Sequence, residues 1–141
     1  MEKELAYQKP WCTVFYLPAL KVVGLEWKGF ATSKQFREAC DASLDLLIQK
    51  KAALMLADNR QAKVVLVEDQ KWMNEVWFPK AYDVGYRGSA VLVGTDLFRD
   101  VAVKNIVHDM EDGKFMVQFF DSEEEAHNWL ASLHVAHEEE K

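Results

Sequence analysis

The chain has 141 residues, of which 50% are hydrophobic, and only six are glycine and three proline. This composition can build one self-contained core, and it excludes a disordered chain, a collagen-like repeat and a disulfide-dense miniprotein. The net charge of −6 arises in residues 121–141, because residues 1–120 hold 16 acidic and 16 basic side chains. A neutral body lacks the clustered Lys and Arg that nucleic acids and anionic membranes require, so we expect neither as a partner.

Targeting and redox features are sparse. No apolar run reaches the ~18–20 residues of a membrane-spanning helix, and the acidic N-terminus lacks a signal core, so we expect a cytoplasmic protein without membrane insertion. Cys12 and Cys40 are 28 positions apart and belong to no Cys/His cluster, which indicates reduced thiols. His127, His134 and His137 lie on roughly one helical face, but we interpret them as solvated, and we expect no metal and no cofactor.

The first half of the chain predicts a hairpin, a helix and a buried strand. The hairpin strands are 12–17 and 21–28, which are rich in aromatic and β-branched residues. Thr32 and Gln35 form a capping box that opens a helix of about 18 residues. Its predicted buried stripe is Phe36, Ala39, Cys40, Ser43, Leu44, Leu47 and Ile48. The uninterrupted apolar run 53–57 then predicts a buried central strand.

The next segment predicts a second helix that begins near residue 67. Its predicted apolar stripe is Trp72, Met73, Val76, Trp77, Ala81 and Val84. Pro79 either kinks this helix or starts a second short one, because proline removes a helical N–H. Gly85 is a candidate C′ residue, and the run 90–93 predicts another buried strand.

The remaining elements are a third helix, a final strand and a last helix. Thr95 and Asp96 could cap the third helix, which runs to about His108. Its predicted inward residues are Leu97, Phe98, Val101, Ala102 and Ile106. A turn at 112–113 leads to a strand over 114–120. The last helix opens at a second capping box, Ser122 with Glu125. Its predicted buried residues are Ala126, Trp129, Leu130 and Leu133.

These elements predict an α/β protein with one mixed, mostly parallel sheet, because alternating strand and helix units give parallel pairing. We expect about five strands, with the N-terminal antiparallel hairpin supplying one edge, and about four helices. The whole chain, 1–141, forms a single domain. Residues 134–141 are expected to be an acidic, frayed tail.

Four segments give the chain a resemblance to a known family: Trp27-Lys-Gly-Phe, Ala57-Asp-Asn-Arg, Trp72…Trp77-Phe-Pro-Lys-Ala and Glu124-Glu-Ala-His-Asn-Trp-Leu. With the element order, they resemble the SpoIIAA-like branch of the STAS superfamily over residues 12 to 133. The resemblance implies a four- to five-stranded sheet with helices packed on it, in a cytoplasmic bacterial protein. Some relatives in the wider superfamily are thought to hold nucleotides or lipids.

STAS domains that act in partner switching carry a Ser or Thr at the start of the helix after a central strand, where a kinase partner phosphorylates it. The matching stretch here, residues 59–68, contains neither residue type. The resemblance therefore leaves, as an alternative, a degenerate or phosphorylation-independent regulator of the anti-sigma-antagonist type.

Two groups of residues are candidates for a binding site. Asp58, Asn59 and Arg60 follow the predicted central strand, and ligands of open α/β sheets bind at such strand ends. Asp58 and Arg60 could grip a polar ligand, although they could equally form a turn in which they pair with each other. Phe78 and Tyr82 flank the second helix and, with Phe98, could form an apolar wall; each could equally be core.

The sequence contains no GxSxG, P-loop, GxGxxG, HExxH or kinase signature. We therefore expect a non-catalytic module that binds a protein partner or a small apolar or amphiphilic ligand at these residues. A homodimer could form through an exposed edge strand or aromatic face. The enzymatic alternative uses Asp58 as a general acid or base with Arg60 as oxyanion support, and it requires a raised Asp58 pKa.

Overall fold

In the part of the chain that the structure describes, six strands form one mixed sheet in the order of the chain. The computed structural model describes residues 1–63, 66–95 and 115–139, with side chains through Leu133 in the last range. The strands are β1 (Glu4–Lys9), β2 (Cys12–Leu17), β3 (Val22–Gly29), β4 (Leu54–Ala62), β5 (Gly88–Leu92) and β6 (Met116–Phe120). The helices are α1 (Ser33–Lys50), α2 (Val67–Trp72), α3 (Phe78–Asp83) and α4 (Glu123–Glu139), with a π-helical turn at Met73–Trp77.

Strand pairing gives the class that the sequence predicts. β1, β2 and β3 are antiparallel, whereas β3, β4, β5 and β6 are parallel. The protein is therefore an α/β domain with a mixed, mostly parallel sheet. The described residues contain one strand more than expected, because β1 was not foreseen.

β1 corrects the prediction that the hairpin lies at the edge of the sheet. It pairs outside β2, which is consequently an interior, buried strand. Five of its six residues are exposed, so it has no buried alternation that sequence reading could detect. Tyr7 anchors it to α1, since its hydroxyl donates to Glu38 Oε2 at 2.6 Å and accepts from Trp11 Nε1 at 3.1 Å.

Helix α1 begins and ends close to the predicted positions. Thr32 is its N-cap and forms the full capping box with Gln35. The buried residues of the helix are Phe36, Ala39, Cys40, Ser43, Leu46 and Leu47. The prediction of an inward Ile48 is wrong, because that side chain is 50% exposed. Each residue turns the helix by about 100°, which carries Ile48 past the stripe and brings Leu46 into it.

The chain from Val67 to Asp83 follows one helical path that Pro79 divides. Phe78 N–H bonds Met73 O five residues back, which makes the turn before Pro79 π-helical. Such a turn accommodates the N–H that proline lacks. Gly85 has φ of 110° just beyond the helix end, as a C′ glycine does. Val84 lies past this end and is exposed, contrary to its predicted inward position.

The two faces of the sheet bury different halves of the core. α1, α2 and α3 cover the face that we call the cavity face, which carries Leu25, Met55 and Trp77 in its core. α4 covers the opposite face, the α4 face, where Ala126 and Leu130 are completely buried as predicted. The predicted third helix and the 112–113 turn lie outside the described residues beyond Thr95.

Candidate ligand-binding site

Strand β4 runs four residues past Asp58, so the candidate triplet Asp58, Asn59 and Arg60 lies inside a strand. β3 pairs with β4 as far as Ala62, whereas β5 pairs with it only as far as Asp58. The polar residues are therefore held by one neighbouring strand and stand beside the end of the other. This corrects the expectation of a strand ending before them.

Strand alternation divides the triplet between the two faces. Asn59 lines a cavity on the cavity face, together with Ala57. Asp58 and Arg60 line a separate depression on the α4 face. The structure thus does not bring Asp58 and Arg60 together with the proposed aromatic wall.

The cavity lies between the sheet and the helices α1 to α3 and has a volume of about 520 Å³. Its lining is mainly apolar, and its sheet floor is formed by Leu25, Met55, Ala57, Val91 and Phe119. Three exposed polar residues, Lys63, Gln70 and Asn74, also line it and mark its mouth. Volume and lining are those of pockets that hold small molecules.

Aromatic residues form much of the helical wall. Trp77 is 3% exposed, and its indole nitrogen donates to Cys40 O at 2.8 Å. Phe78, a proposed wall residue, lines the cavity and lies edge-on to Trp77 with ring centroids 5.2 Å apart. Trp27 and Phe36 stack at 5.0 Å on the other side. These rings give the site rigid walls, since each is fixed by a neighbour.

The other two proposed wall residues do not join this lining. Tyr82 is not among the described lining residues; it packs against Phe115 at 5.7 Å and beneath the Arg87 guanidinium at 4.0 Å. Phe98 lies outside the described residues. Of the six proposed residues, Asn59 and Phe78 therefore share this cavity.

Most polar groups inside the cavity have partners. Ser43 Oγ donates to Cys40 O at 2.6 Å, and Ser89 Oγ is hydrogen-bonded to the Tyr86 hydroxyl. Burial, aided by nearby acidic groups, raises the pKa of the Cys40 thiol, so Cys40 lines the cavity as a neutral thiol. Asn59 Oδ1 differs from these groups, because it is buried and has no hydrogen-bond partner among the described residues.

An ion-pair clamp fixes the α2 wall, and the sequence analysis missed it. Asp69 is 1% exposed, accepts from Ser33 Oγ at 2.9 Å and accepts from Arg37 Nε at 3.2 Å. These contacts join α2 to the first turns of α1. The partners are more than 30 residues apart in the chain, so no local motif signals them.

On the α4 face, Asp58 and Arg60 satisfy each other. Arg60 Nε and Nη2 donate to the two carboxylate oxygens at 3.0 and 2.7 Å, and Arg60 N donates to Oδ1 at 3.1 Å. Burial raises the pKa of Asp58, but the hydrogen bonds and charge of Arg60 outweigh burial, so the pKa lies below its ordinary value. The enzymatic alternative requires the opposite shift.

The second depression has a volume of about 600 Å³ and carries both signs of charge. Glu123 lies 3.8 Å from Arg60 and 3.7 Å from His127, which are weak contacts. Within residues 1–63, 66–95 and 115–139, no three His, Cys, Asp or Glu residues are arranged to hold a metal ion. None of the helices in these ranges is long and apolar enough to cross a membrane.

Comparison with known proteins identifies the fold. No family model and no curated protein matches the chain. Its structure is similar to the crystal structure of an uncharacterized protein of the DUF3478 family with a SpoIIAA-like fold, from Shewanella loihica PV-4. The TM-score is 0.60 with 12% sequence identity, over 92% of this chain and 96% of that one.

The chain thus has a SpoIIAA-like fold, which confirms the fold implied by the sequence resemblance. At 12% identity the similarity shows the fold alone. Proteins of one fold carry many functions, so the function has to be argued from the site.

Proposed function

We propose that the protein is a binding module that holds a small, largely apolar or amphiphilic molecule in the cavity between the sheet and α1 to α3. The observation that carries this proposal is the cavity itself, about 520 Å³ with an apolar lining and few polar groups. A volume of roughly 300–1,000 Å³ and such a lining are typical of small-molecule sites.

The rigidity of the walls supports the same function. The Asp69 clamp and the Trp77 hydrogen bond hold the helices in place, so little ordering is required when a ligand enters. The Asp58–Arg60 pair does not favour the enzymatic alternative, because the two side chains use their hydrogen-bonding groups on each other.

The first test is native mass spectrometry of freshly purified protein, compared with its denatured mass. We expect a non-covalent adduct that denaturation removes. In Ala57→Phe, which places a ring in the cavity, the adduct should be lost; Ala57→Leu is the milder version if Ala57→Phe does not fold. Ala131→Phe is the matched control, since Ala131 is exposed on α4.

An adduct that persists in folded Ala57→Phe would contradict the proposal. Bare protein that also fails to bind the uncharged apolar fluorophore N-phenyl-1-naphthylamine would contradict it as well, and would favour a module that recognises a protein partner. The cytoplasmic location, the bacterial origin and the homodimer stay predictions; the same native spectrum measures the oligomeric state.

A further inference from the structure

The amide oxygen of Asn59 indicates which hydrogen-bonding group a ligand of the cavity would carry. A buried acceptor without a hydrogen bond costs about 1–3 kcal/mol, and native proteins tolerate few of them. Asn59 Oδ1 is such an atom, on a residue that lines the cavity. An unfilled acceptor in an otherwise apolar cavity is the arrangement that a ligand donor would complete.

Three donors among the described lining residues are bonded to other groups of the protein. Ser43 Oγ is bonded to Cys40 O, Ser89 Oγ to Tyr86, and Trp77 Nε1 to Cys40 O. β5 stops pairing with β4 at Asp58, one residue before Asn59. The Asn59 amide therefore lies beside the C-terminal end of β5, where β4 is no longer paired with that strand.

Charge in the cavity limits the ligand further. Among the described lining residues, Lys63 is the one that is charged at neutral pH, and it is exposed at the mouth. A charged head buried beside Asn59 would have no counter-charge there, which is strongly unfavourable. A carboxylate would also place an acceptor against an acceptor.

We infer that the ligand presents a neutral hydrogen-bond donor, a hydroxyl or an amide N–H, to Asn59 Oδ1, with its apolar body on the floor of Met55, Ala57 and Val91. This inference rests on the proposed function and defines the class of ligand: neutral amphiphiles with an alcohol or amide head. Anionic amphiphiles such as fatty-acid carboxylates are disfavoured.

Three probes of equal chain length test it: octanol, octanoate and octylamine. Their dissociation constants are measured by displacement of the uncharged fluorophore N-phenyl-1-naphthylamine from the cavity. We expect octanol to bind about 10-fold more tightly than octanoate. In Asn59→Leu, which has a similar volume and no acceptor, this ratio should fall by about 3- to 10-fold.

Two variants control the comparison. Asn128→Leu removes an exposed amide on α4, outside the cavity lining, and should leave the octanol-to-octanoate ratio unchanged. Asn59→Asp places a carboxylate at the same position and should shift the preference to octylamine. The ratio is compared rather than a single affinity, because the added apolar surface of leucine affects every probe.

The outcomes separate this inference from the proposed function. Tighter binding of octanoate, lost in Lys63→Met, would place the head at the mouth and overturn the inference while leaving cavity binding intact. Equal affinities that Asn59→Leu does not change would overturn it too. If no probe binds the wild-type protein, both the inference and the proposed function fail.

Discussion

Adjacent polar residues of β4 differ in their hydrogen bonding according to the face of the sheet on which they lie. On the α4 face, Asp58 and Arg60 form a pair with three hydrogen bonds and little unmet capacity. On the cavity face, the intervening Asn59 keeps a buried oxygen to which no group in the described part of the chain donates, above an apolar floor. A conspicuous charged pair can therefore be structural, whereas the inference about the ligand rests on the less conspicuous amide beside it.

Side-chain packing also differs between particular positions on the two faces. Beneath α4, Leu130, Ala126 and Ala90 are completely buried. On the other face, Ala57 in the middle of β4 is only partly buried and borders open volume. The α4 face also carries the depression lined by Asp58 and Arg60, so the predictions below compare the packed positions under α4 with the open volume beside Ala57.

The largest effect is expected where the packing is fullest. Leu130→Ala should lower the free energy of unfolding by about 3 kcal/mol, because it removes a completely buried side chain and leaves a void under α4. Urea denaturation measures the loss. Leu5→Ala is the control, since Leu5 is 57% exposed on β1 and should change stability by less than about 0.5 kcal/mol. Equal losses would mean that α4 is not packed as described.

A matched pair of alanines tests the contrast directly. Ala90→Leu, on the α4 face, should destabilise by about 2 kcal/mol, because three extra carbons have no space there. Ala57→Leu, on the neighbouring strand but facing the cavity, should leave stability unchanged or raise it by about 1 kcal/mol. Thermal or urea unfolding of both variants measures the difference. A similar cost at both positions would show that the cavity is absent in solution.

The Asp58–Arg60 pair on the α4 face predicts that stability depends on pH. The folded-state pKa of Asp58 lies below its ordinary value, so its contribution is complete above that value and is lost as pH falls through the folded pKa. Arg60→Met should cost about 1.5 kcal/mol at neutral pH, since it leaves a mostly buried carboxylate unpaired.

Asp58→Asn should remove this part of the acid-induced loss, as measured by urea unfolding at a series of pH values below 5. Glu75→Gln is the control, because Glu75 and Lys71 form an exposed pair at 3.9 Å that should contribute little. An unchanged acid profile in Asp58→Asn would refute the assignment of the pair as a stabilising contact.

Local signals in the sequence account for much of the fold. The capping box at Thr32, the glycine at 85 and the buried residues of α4 all depend on neighbours within one or two turns, and the structure has them. β1 could not be found in this way, because its exposed side chains carry no pattern and its place depends on pairing with β2.

The site was harder to predict because it depends on which face of the sheet each β4 side chain occupies, and on contacts between residues that are far apart in the sequence. Assigning Asp58 and Asn59 to faces requires knowing that β4 continues to Ala62, which its pairing with β3 decides. The isolation of Asn59 Oδ1 is evident only once every neighbouring donor is accounted for. Phe78 could be proposed from its local sequence, whereas the Asp69 clamp joins residues of α1 and α2 that are 32 and 36 positions apart.

The smallest effect compares how the helices on the two faces begin. Thr32 Oγ1 accepts from Gln35 N at 3.2 Å and Thr32 N donates to Gln35 Oε1 at 3.0 Å, whereas Ser122 Oγ accepts from Glu125 N at 3.3 Å. Thr32→Ala should therefore cost about 1 kcal/mol, and Ser122→Ala about 0.5 kcal/mol. Thr32→Ser keeps the acceptor and should recover most of the loss. If Ser122→Ala cost more than Thr32→Ala, the start of α4 would be the more dependent on its cap, and the reciprocal bonds of α1 would not be the reason for its stability.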